Sequence, residues 1–403
     1  MLAPVLTTLG LALFLILLLF AARRLVFLLT LWRPQPPLPE LTRWPDVLLL
    51  VPARDERASL PGLIAALAQL DYPPEHLAVV LIDDGSTDGT GQATAEACAG
   101  RPRWHTLSLP HNVGKPAALN QALAAHTFGE IVYVFDVDHR PRPDCLRAAV
   151  RAFADPLVAG VSGRTVPANS LASPVAFYAA LEALVHQLVT VRGKDVLRLG
   201  PPLLGSNNGY RRSALEAVGG FRPGAFLEDS DLTLALHLAG FSTRYVPDAQ
   251  AALTVPFTVP GFVRQHVRWG RGFNDVARAH LPSLLRDPRL APGMRLELAL
   301  FSLGYLDRLA LLGSLGLLLL SAVLGLEPAR TLALAGIALN VGLPFAQIVA
   351  VLARERAPAA WWRRLPWVPV FFGLDAAVAV WSLALTVLDR PRRWTRTERA
   401  VDA

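Results

Sequence analysis

The sequence predicts an α/β domain with a mostly parallel sheet, inserted between N-terminal and C-terminal transmembrane α-helices, and three observations carry that expectation. The chain of 403 residues is 53% hydrophobic and only 18% charged, with a mean hydropathy of +0.37, too apolar for one water-soluble domain. Its longest uncharged stretches lie near the two ends. Between Trp44 and about Val255, short β-branched or Leu-rich runs alternate with helical patterns, which implies parallel strands joined by helices.

Met1 to Ala22 holds no charged side chain, and about 20 apolar residues are enough for a helix to cross the hydrocarbon core. Arg23, Arg24 and Arg33 follow it. A cleaved signal peptide carries its positive charge before the apolar run, so residues 1–32 read as a retained anchor with the cytosol on its C-terminal side. Three further spans fall within 297–388: Leu309 to Leu326, Thr331 to Ala353, and Leu365 to Leu388, the last interrupted by Asp375. Four spans would place the basic tail, 389–403 with Arg390, Arg392, Arg393, Arg396 and Arg399, opposite the soluble domain, against the positive-inside tendency. The alternative is a last segment that turns back, or lies in the interface, around Asp375.

The net charge is +7, and 37 of the 39 basic residues are Arg, with Lys only at 115 and 194. The Arg clusters flank the apolar spans and form no basic stripe on the soluble part, so nucleic acid is not the expected partner. Cys98 and Cys145 have no spacing suited to a metal or redox pair and are expected to be reduced.

Within residues 44–255, Asp46 to Val51 reads as a first buried strand, followed by a helix with Leu60, Ile64, Leu67 and Leu70 at helical spacing. Leu77 to Ile82, Trp104 to Leu109 and Ile131 to Phe135 read as the next three strands. In open α/β sheets ligands bind beyond the carboxyl ends of strands, so chemistry is sought there. Strand one ends in Val51-Pro52-Ala53-Arg54-Asp55-Glu56 and strand two in Asp83-Asp84-Gly85-Ser86-Thr87-Asp88. Each alone is equally well a helix-capping turn. Side by side, their carboxylates suit the N–H of a base and the hydroxyls of a ribose.

Asn112-Val113-Gly114-Lys115 opens a helix through a glycine turn, where free backbone N–H groups, the helix dipole and an ammonium favour a diphosphate. Its spacing is not that of a nucleotide-hydrolysing P-loop. Strand four runs into Asp136-Val137-Asp138-His139. Two carboxylates at the end of an apolar strand are either an exposed strand end or ligands for Mg²⁺ or Mn²⁺ bridging a diphosphate. His139 beside them is suited to orienting a carboxylate or to a structural role. Gly205-Ser206-Asn207-Asn208-Gly209-Tyr210-Arg211-Arg212 and Leu227-Glu228-Asp229-Ser230-Asp231 follow, the second opening a helix that Asp229 could simply cap. In 256–296, Gln265-His266-Val267-Arg268-Trp269 lies in an Arg-rich amphipathic segment suited to the membrane interface.

In this order and spacing the motifs resemble the family 2 glycosyltransferases, in particular the membrane-integrated branch with the cellulose, chitin and hyaluronan synthases and ceramide glucosyltransferases. The resemblance runs from about Asp46 to Gly272. It implies a GT-A, Rossmann-like nucleotide-diphospho-sugar domain in which Pro52, Arg54 and Glu56 line the nucleotide site, Asp84 holds uridine and Lys115 approaches the diphosphate. It further implies that Asp136 and Asp138 are the DxD pair, with Asp138 on the metal and Asp136 nearer the donor ribose and sugar. Asp229 matches the general base of the Glu-Asp motif, and Gln265, Arg268 and Trp269 match QxxRW, which closes over the donor and lines the acceptor site. Leu227 stands where the synthases carry Thr, and their Phe-Phe-Cys-Gly-Ser motif reads Pro202-Leu203-Leu204-Gly205-Ser206 here, which points away from cellulose synthesis.

The implied reaction is inverting, metal-dependent transfer of sugar from a UDP-sugar to a polysaccharide or lipid acceptor by a multi-pass cell-membrane enzyme facing the cytosol. A polymerase would use the spans as a channel, whereas a lipid glycosyltransferase needs them only to reach its acceptor. A transporter would call for more intramembrane ionisable groups than Asp375. Against a non-catalytic scaffold or sugar-nucleotide sensor, every expected carboxylate is present.

Overall fold

The computed structural model describes residues 2–390, so Arg392, Arg393, Arg396 and Arg399 of the expected tail lie outside the described residues. The α/β domain is one sheet of eight strands: β1 Val47–Ala53, β2 Leu77–Asp84, β3 Trp104–Leu109, β4 Ile131–Val134, β5 Arg140–Pro141, β6 Val158–Pro167, β7 Asn208–Arg211 and β8 Ser242–Leu253. They run in the order β3-β2-β1-β4-β7-β6-β8-β5. The β3-β2-β1-β4 half is parallel, as the alternating helices require. β7 then runs antiparallel to β4 and to β6, β6 parallel to β8, and β5 antiparallel to β8, so the sheet is mixed, with a parallel half.

Strand β1 is buried on both faces, which explains its unbroken apolar run. Val47, Leu49, Val51 and Ala53 join a core under helices Leu60–Leu67 and Cys145–Val150. Leu48 and Leu50 join the opposite core, with Ala118, Leu119 and Ala122 of helix Lys115–Ala125. Helix Glu228–Leu238 divides its leucines by the same logic. Leu232 and Leu236, four apart, pack on the sheet, while Leu234 and Leu238, also four apart, meet helix Val259–Arg286.

Among the described residues five helices are long and apolar enough to cross a membrane: Leu2–Leu29, Pro174–Val196, Leu306–Leu324, Glu327–Arg354 and Ala359–Val387. The sequence reading missed the second, whose apolar window is 61% buried in protein. It lies against the C-terminal ends of two others, with Leu188 and Val189 on Phe27 and Leu31, and Leu181 on Ile348 and Leu352.

Helices Leu2–Leu29, Leu306–Leu324 and Glu327–Arg354 pack closely through small residues, as helices do where lipid supplies no hydrophobic drive. A Cβ on Gly10 would meet Leu317 at 3.2 Å, and one on Gly336 would meet Leu17 at 2.9 Å. Arg24 is hydrogen-bonded to Asp307 and Asn340, and Asn340 Nδ2 donates to the Leu17 carbonyl at 3.0 Å. Leu15, Leu19, Leu319, Val323, Leu334 and Phe345 face outward, an apolar surface suited to acyl chains. The end of the first helix is held by guanidinium groups, Arg192 Nη1 donating to Thr30 O at 2.7 Å and Arg354 to Leu31 O.

The last apolar segment is broken into Ala359–Arg363, a 3-10 turn at Leu365–Trp367, and helix Val368–Val387. That helix runs along the amphipathic helix Val259–Arg286, pairing Phe371 with Phe262, Ser382 with Gly270 and Thr386 with Asn274.

Candidate active site

The loops after β1 and β2 are knitted together by side chains on each other's backbone. Asp55 N–H donates to Ser86 Oγ (3.0 Å), Thr87 N–H to Asp55 Oδ1 (2.8 Å), Glu56 N–H to Thr90 Oγ1 (2.9 Å) and Arg57 N–H to Asp88 Oδ2 (3.1 Å). Pro52 pairs across with Ile82, so the two strand ends are level. Arg54 is exposed beside Asp55, and Glu56 is buried.

Asp84 accepts from Val113 N–H (2.7 Å), Gly114 N–H (3.0 Å) and Asn112 Nδ2 (2.6 Å). This corrects the expectation of free N–H groups at the mouth of helix Lys115–Ala125: Asp84 is itself the anion that the turn attracts. Three of roughly four lone-pair positions are used, so Asp84 chiefly shapes the turn that presents Lys115. Gly114 sits at φ 86°, a conformation glycine adopts without cost.

The Lys115 ammonium spends all three protons inside the site, on Gly205 O at 2.6 Å, Glu228 Oε1 at 2.8 Å and Asp136 Oδ1 at 2.9 Å. Burial alone would lower its pKa, but the carboxylates of Asp136 and Glu228 together raise it well above the ordinary lysine range. It therefore joins three motifs far apart in sequence. Ser206 Oγ accepts the Asp136 N–H at 2.7 Å, fixing the strand end to the same loop.

Asp136, Asp138 and His139 offer ligand atoms within 4.8 Å of one another. His139 Nδ1 stands 3.1 Å from Asp138 Oδ1, which orients that carboxylate, while its Nε2 is buried without a hydrogen-bond partner. Two carboxylates and an imidazole nitrogen within 4.8 Å of one another are a donor set that fits a divalent ion such as Mn²⁺ or Mg²⁺.

Asp229 opens helix Glu228–Leu238, its Oδ1 accepting the Ser230 N–H at 2.7 Å. Its Oδ2 stands 3.2 Å from where a Cβ on Gly205 would lie, and Gly205 is at φ +81°. Burial first, and then the neighbouring Glu228 carboxylate, push its pKa up to about 7, partly offset by the Ser230 N–H and Lys115. A carboxylate must be ionised to act as a base, so kcat/KM is expected to rise with pH and level off above about 7. A flat profile from about pH 5 to 8 contradicts that role.

Gln265, Arg268 and Trp269 share a face of helix Val259–Arg286 and are half-buried. Trp269 packs on the cluster containing Leu227, and a Cβ on Gly272 would lie 2.5 Å from Leu227 Cγ, so this helix abuts the residue preceding Glu228-Asp229. The departure at Leu227 is thus an apolar contact. Asp231 pins the same junction, meeting His280 Nε2 at 2.8 Å and Arg222 Nη2 at 2.6 Å.

The structure thus brings Lys115, Asp136, Asp138 and Asp229 to one patch and leaves Asp84 one turn behind it. The roles of Glu228, Ser206 and Gly205 were missed: each occurs in a motif, but their contacts cross more than 60 residues of sequence.

A mixed sheet with acids at its strand ends, set among apolar helices near both termini, is the architecture of a GT-A fold. Residues 131–388 match the pattern described as "Glycosyl transferase family group 2". An N-acetylglucosaminyltransferase of Rhizobium meliloti is 34% identical over 256 residues, 60% of this chain and 58% of that protein. A beta-monoglucosyldiacylglycerol synthase of Synechocystis is 32% identical over 238 residues, 57% of this chain and 48% of that protein. The chain thus spans about half to three-fifths of the length of these relatives. Among solved structures, the mannosyltransferase PcManGT from Pyrobaculum calidifontis, in complex with GDP-Man and Mn²⁺, aligns with a TM-score of 0.64 at 25% identity, covering 96% of this chain and 100% of that one. The chain belongs to glycosyl transferase family group 2.

Proposed function

We propose that the chain transfers a sugar, with inversion, from a nucleotide-diphosphate sugar, expected to be a UDP-sugar, to a lipid acceptor at the cytosolic face of the membrane. The observation that carries this reading is the Lys115 bridge, which sets Asp136 and Glu228 within 3 Å of one cation and Asp229 against the same Gly205 loop. The complex of PcManGT with GDP-Man and Mn²⁺ supports a nucleotide sugar and a divalent ion.

Asp136, Asp138 and His139 would hold the ion, which supplies positive charge to the diphosphate. Lys115 and Arg268 add fixed cations for the charge that develops on the leaving group. Asp229 takes the proton of the acceptor hydroxyl as that oxygen bonds to the anomeric carbon and the diphosphate departs. Pro52, Arg54, Glu56 and Asp84 shape the nucleotide end of the site, and Gln265 and Trp269 the acceptor side.

The close packing of the three helices around Gly10 and Gly336 supports a lipid acceptor over an exported polysaccharide, because their contacts fill the space a polymer would need. The beta-monoglucosyldiacylglycerol synthase is a relative named for a lipid product. Incubating the purified protein with radiolabelled UDP- and GDP-sugars and lipid extracts tests this. Label in one extractable lipid is expected; label in long polymer, or no metal-stimulated transfer, overturns the reading.

The packing of the last helix supports one membrane arrangement. Val368–Val387 lies along the Arg-rich helix Val259–Arg286, and Arg271 Nη2 donates to Arg390 O at 2.5 Å. Both then lie in the cytosolic interface, leaving Leu2–Leu29, Leu306–Leu324 and Glu327–Arg354 as the spans. In that arrangement the loop with Arg356, Arg363 and Arg364 lies on the side of the catalytic domain, as the positive-inside tendency favours. A C-terminal green fluorescent protein fusion should fluoresce in bacterial cells, and an alkaline phosphatase fusion at the same point should be inactive. An active phosphatase would mean that Val368–Val387 spans.

A further inference from the structure

Apart from the site, a dense charge cluster occupies the junction of four helices. Glu182 comes from Pro174–Val185, His266 from Val259–Arg286, Arg308 from Leu306–Leu324 and Asp375 from Val368–Val387. His266 Nε2 lies 3.0 Å from Glu182 Oε2, Arg308 Nε 2.5 Å from Asp375 Oδ2, and Arg308 Nη2 3.8 Å from Glu182 Oε1. His266 is 1% exposed and Asp375 wholly buried.

The protons can be counted from the geometry. His266 Nδ1 lies 3.0 Å from the Phe262 carbonyl, which only accepts, so Nδ1 carries a hydrogen. The contact between Nε2 and the Glu182 carboxylate needs a second proton. Wherever along that contact it resides, the four groups sum to zero charge, the condition under which buried ions are tolerated. Glu182, His266 and Asp375 also offer ligand atoms within 4.8 Å of one another. A divalent ion there would upset the balance and compete with Arg308 for Asp375, so an ion-pair network is the better account.

Position along the helix gives the cluster its consequence. Gln265, Arg268, Trp269 and Gly272 recur at helical spacing on one face, whose Trp269 and Gly272 meet Leu227. Phe262, His266 and Gly270 form the adjacent face, about 100° round, with Phe262 on Phe371 and Gly270 on Ser382. The His266 and Trp269 rings are in contact, with centroids 4.8 Å apart. We infer that the Glu182–His266–Arg308–Asp375 quartet is a latch that fixes the rotation of helix Val259–Arg286 and thereby positions Arg268 and Trp269 against Asp229. His266 is a positioning residue and touches neither donor nor acceptor. The inference rests on the functional reading above for its kinetic consequence, though not for its structural one.

The test uses the full chain in detergent. His266→Leu should lower kcat about ten- to a hundredfold, the cost of a small misplacement, with donor KM and the affinity for UDP with Mn²⁺ within about twofold. His266→Gln, which can still donate to Glu182, should recover most of that loss. Amide exchange over residues 265–272 should speed up about tenfold in His266→Leu, with β1 unchanged. Should His266→Leu fold poorly, Glu182→Gln carries the same expectations. Unchanged exchange together with unchanged kcat overturns the latch, as does stoichiometric bound metal that His266→Leu removes. An inactive wild-type chain counts against the functional reading, and the exchange measurement still decides the latch.

Discussion

Asp229→Asn is expected to reduce transfer by about 10²–10⁴-fold, the usual worth of a positioned general base, while leaving UDP binding within a factor of about two. The amide keeps the geometry, since its oxygen can still accept the Ser230 N–H that Asp229 Oδ1 accepts at 2.7 Å. It cannot take a proton. The ion is proposed to bind at Asp136, Asp138 and His139, a set that does not include Asp229. Single-turnover rates with and without the substitution, beside a UDP titration in Mn²⁺, separate the two effects. Equal loss of binding and rate would make Asp229 a structural or donor-binding group.

Lys115→Met is expected to be the next most damaging change, costing about 10²–10³ in kcat, comparable to removing one preorganised donor from a transition-state site. Methionine fills a similar volume but leaves Asp136 and Glu228 as facing carboxylates and the Gly205 carbonyl without its donor. The melting temperature should fall as well, because the Asp136 and Glu228 carboxylates repel each other once the ammonium between them is gone. Glu228→Gln, which keeps an acceptor, should be milder in both respects. The pH behaviour follows from the sign of the shift. A lysine whose pKa is raised stays protonated through and above the ordinary value of about 10.4, so Lys115 contributes no alkaline loss of activity at working pH. A Lys115→Met enzyme of normal kcat would show that the bridge is a resting-state contact without catalytic use.

Much of the parallel half-sheet was legible because β1, β2 and β4 are buried on both faces, which writes an apolar run into each, whereas β3 is a largely exposed edge strand. Trp104 to Leu109 matches β3, and Leu77 to Ile82 falls two residues short of the end of β2 at Asp84, where the backbone stays extended into the acidic turn. The antiparallel half was not legible. β7 is only Asn208–Arg211 and carries a glycine pressed against Phe153 and Tyr133, so its strand character comes from its neighbours β4 and β6. Pro174–Val196 was missed as a long helix because Glu182, Arg192, Lys194 and Asp195 interrupt its apolar pattern; their partners come from other helices and from the polar segment after the first helix.

In the site, the residue types were visible and the pairings were not. Asp84 was read at the nucleotide site, but nothing local shows that Val113 and Gly114 also donate to it. Asp375 looked like an interruption of a span. Its pairing with Arg308 becomes apparent only when helix Val368–Val387 is seen beside Leu306–Leu324.

Anomalous scattering from the protein crystallised with UDP and Mn²⁺ tests the central claim most directly. The account predicts a single strong manganese peak within coordination distance of Asp138, with the diphosphate beside Lys115 and the Asp229 carboxylate facing the open side of the site. Manganese bound among Glu182, His266 and Asp375, or a nucleotide seated away from the carboxyl ends of β1, β2 and β4, would contradict it.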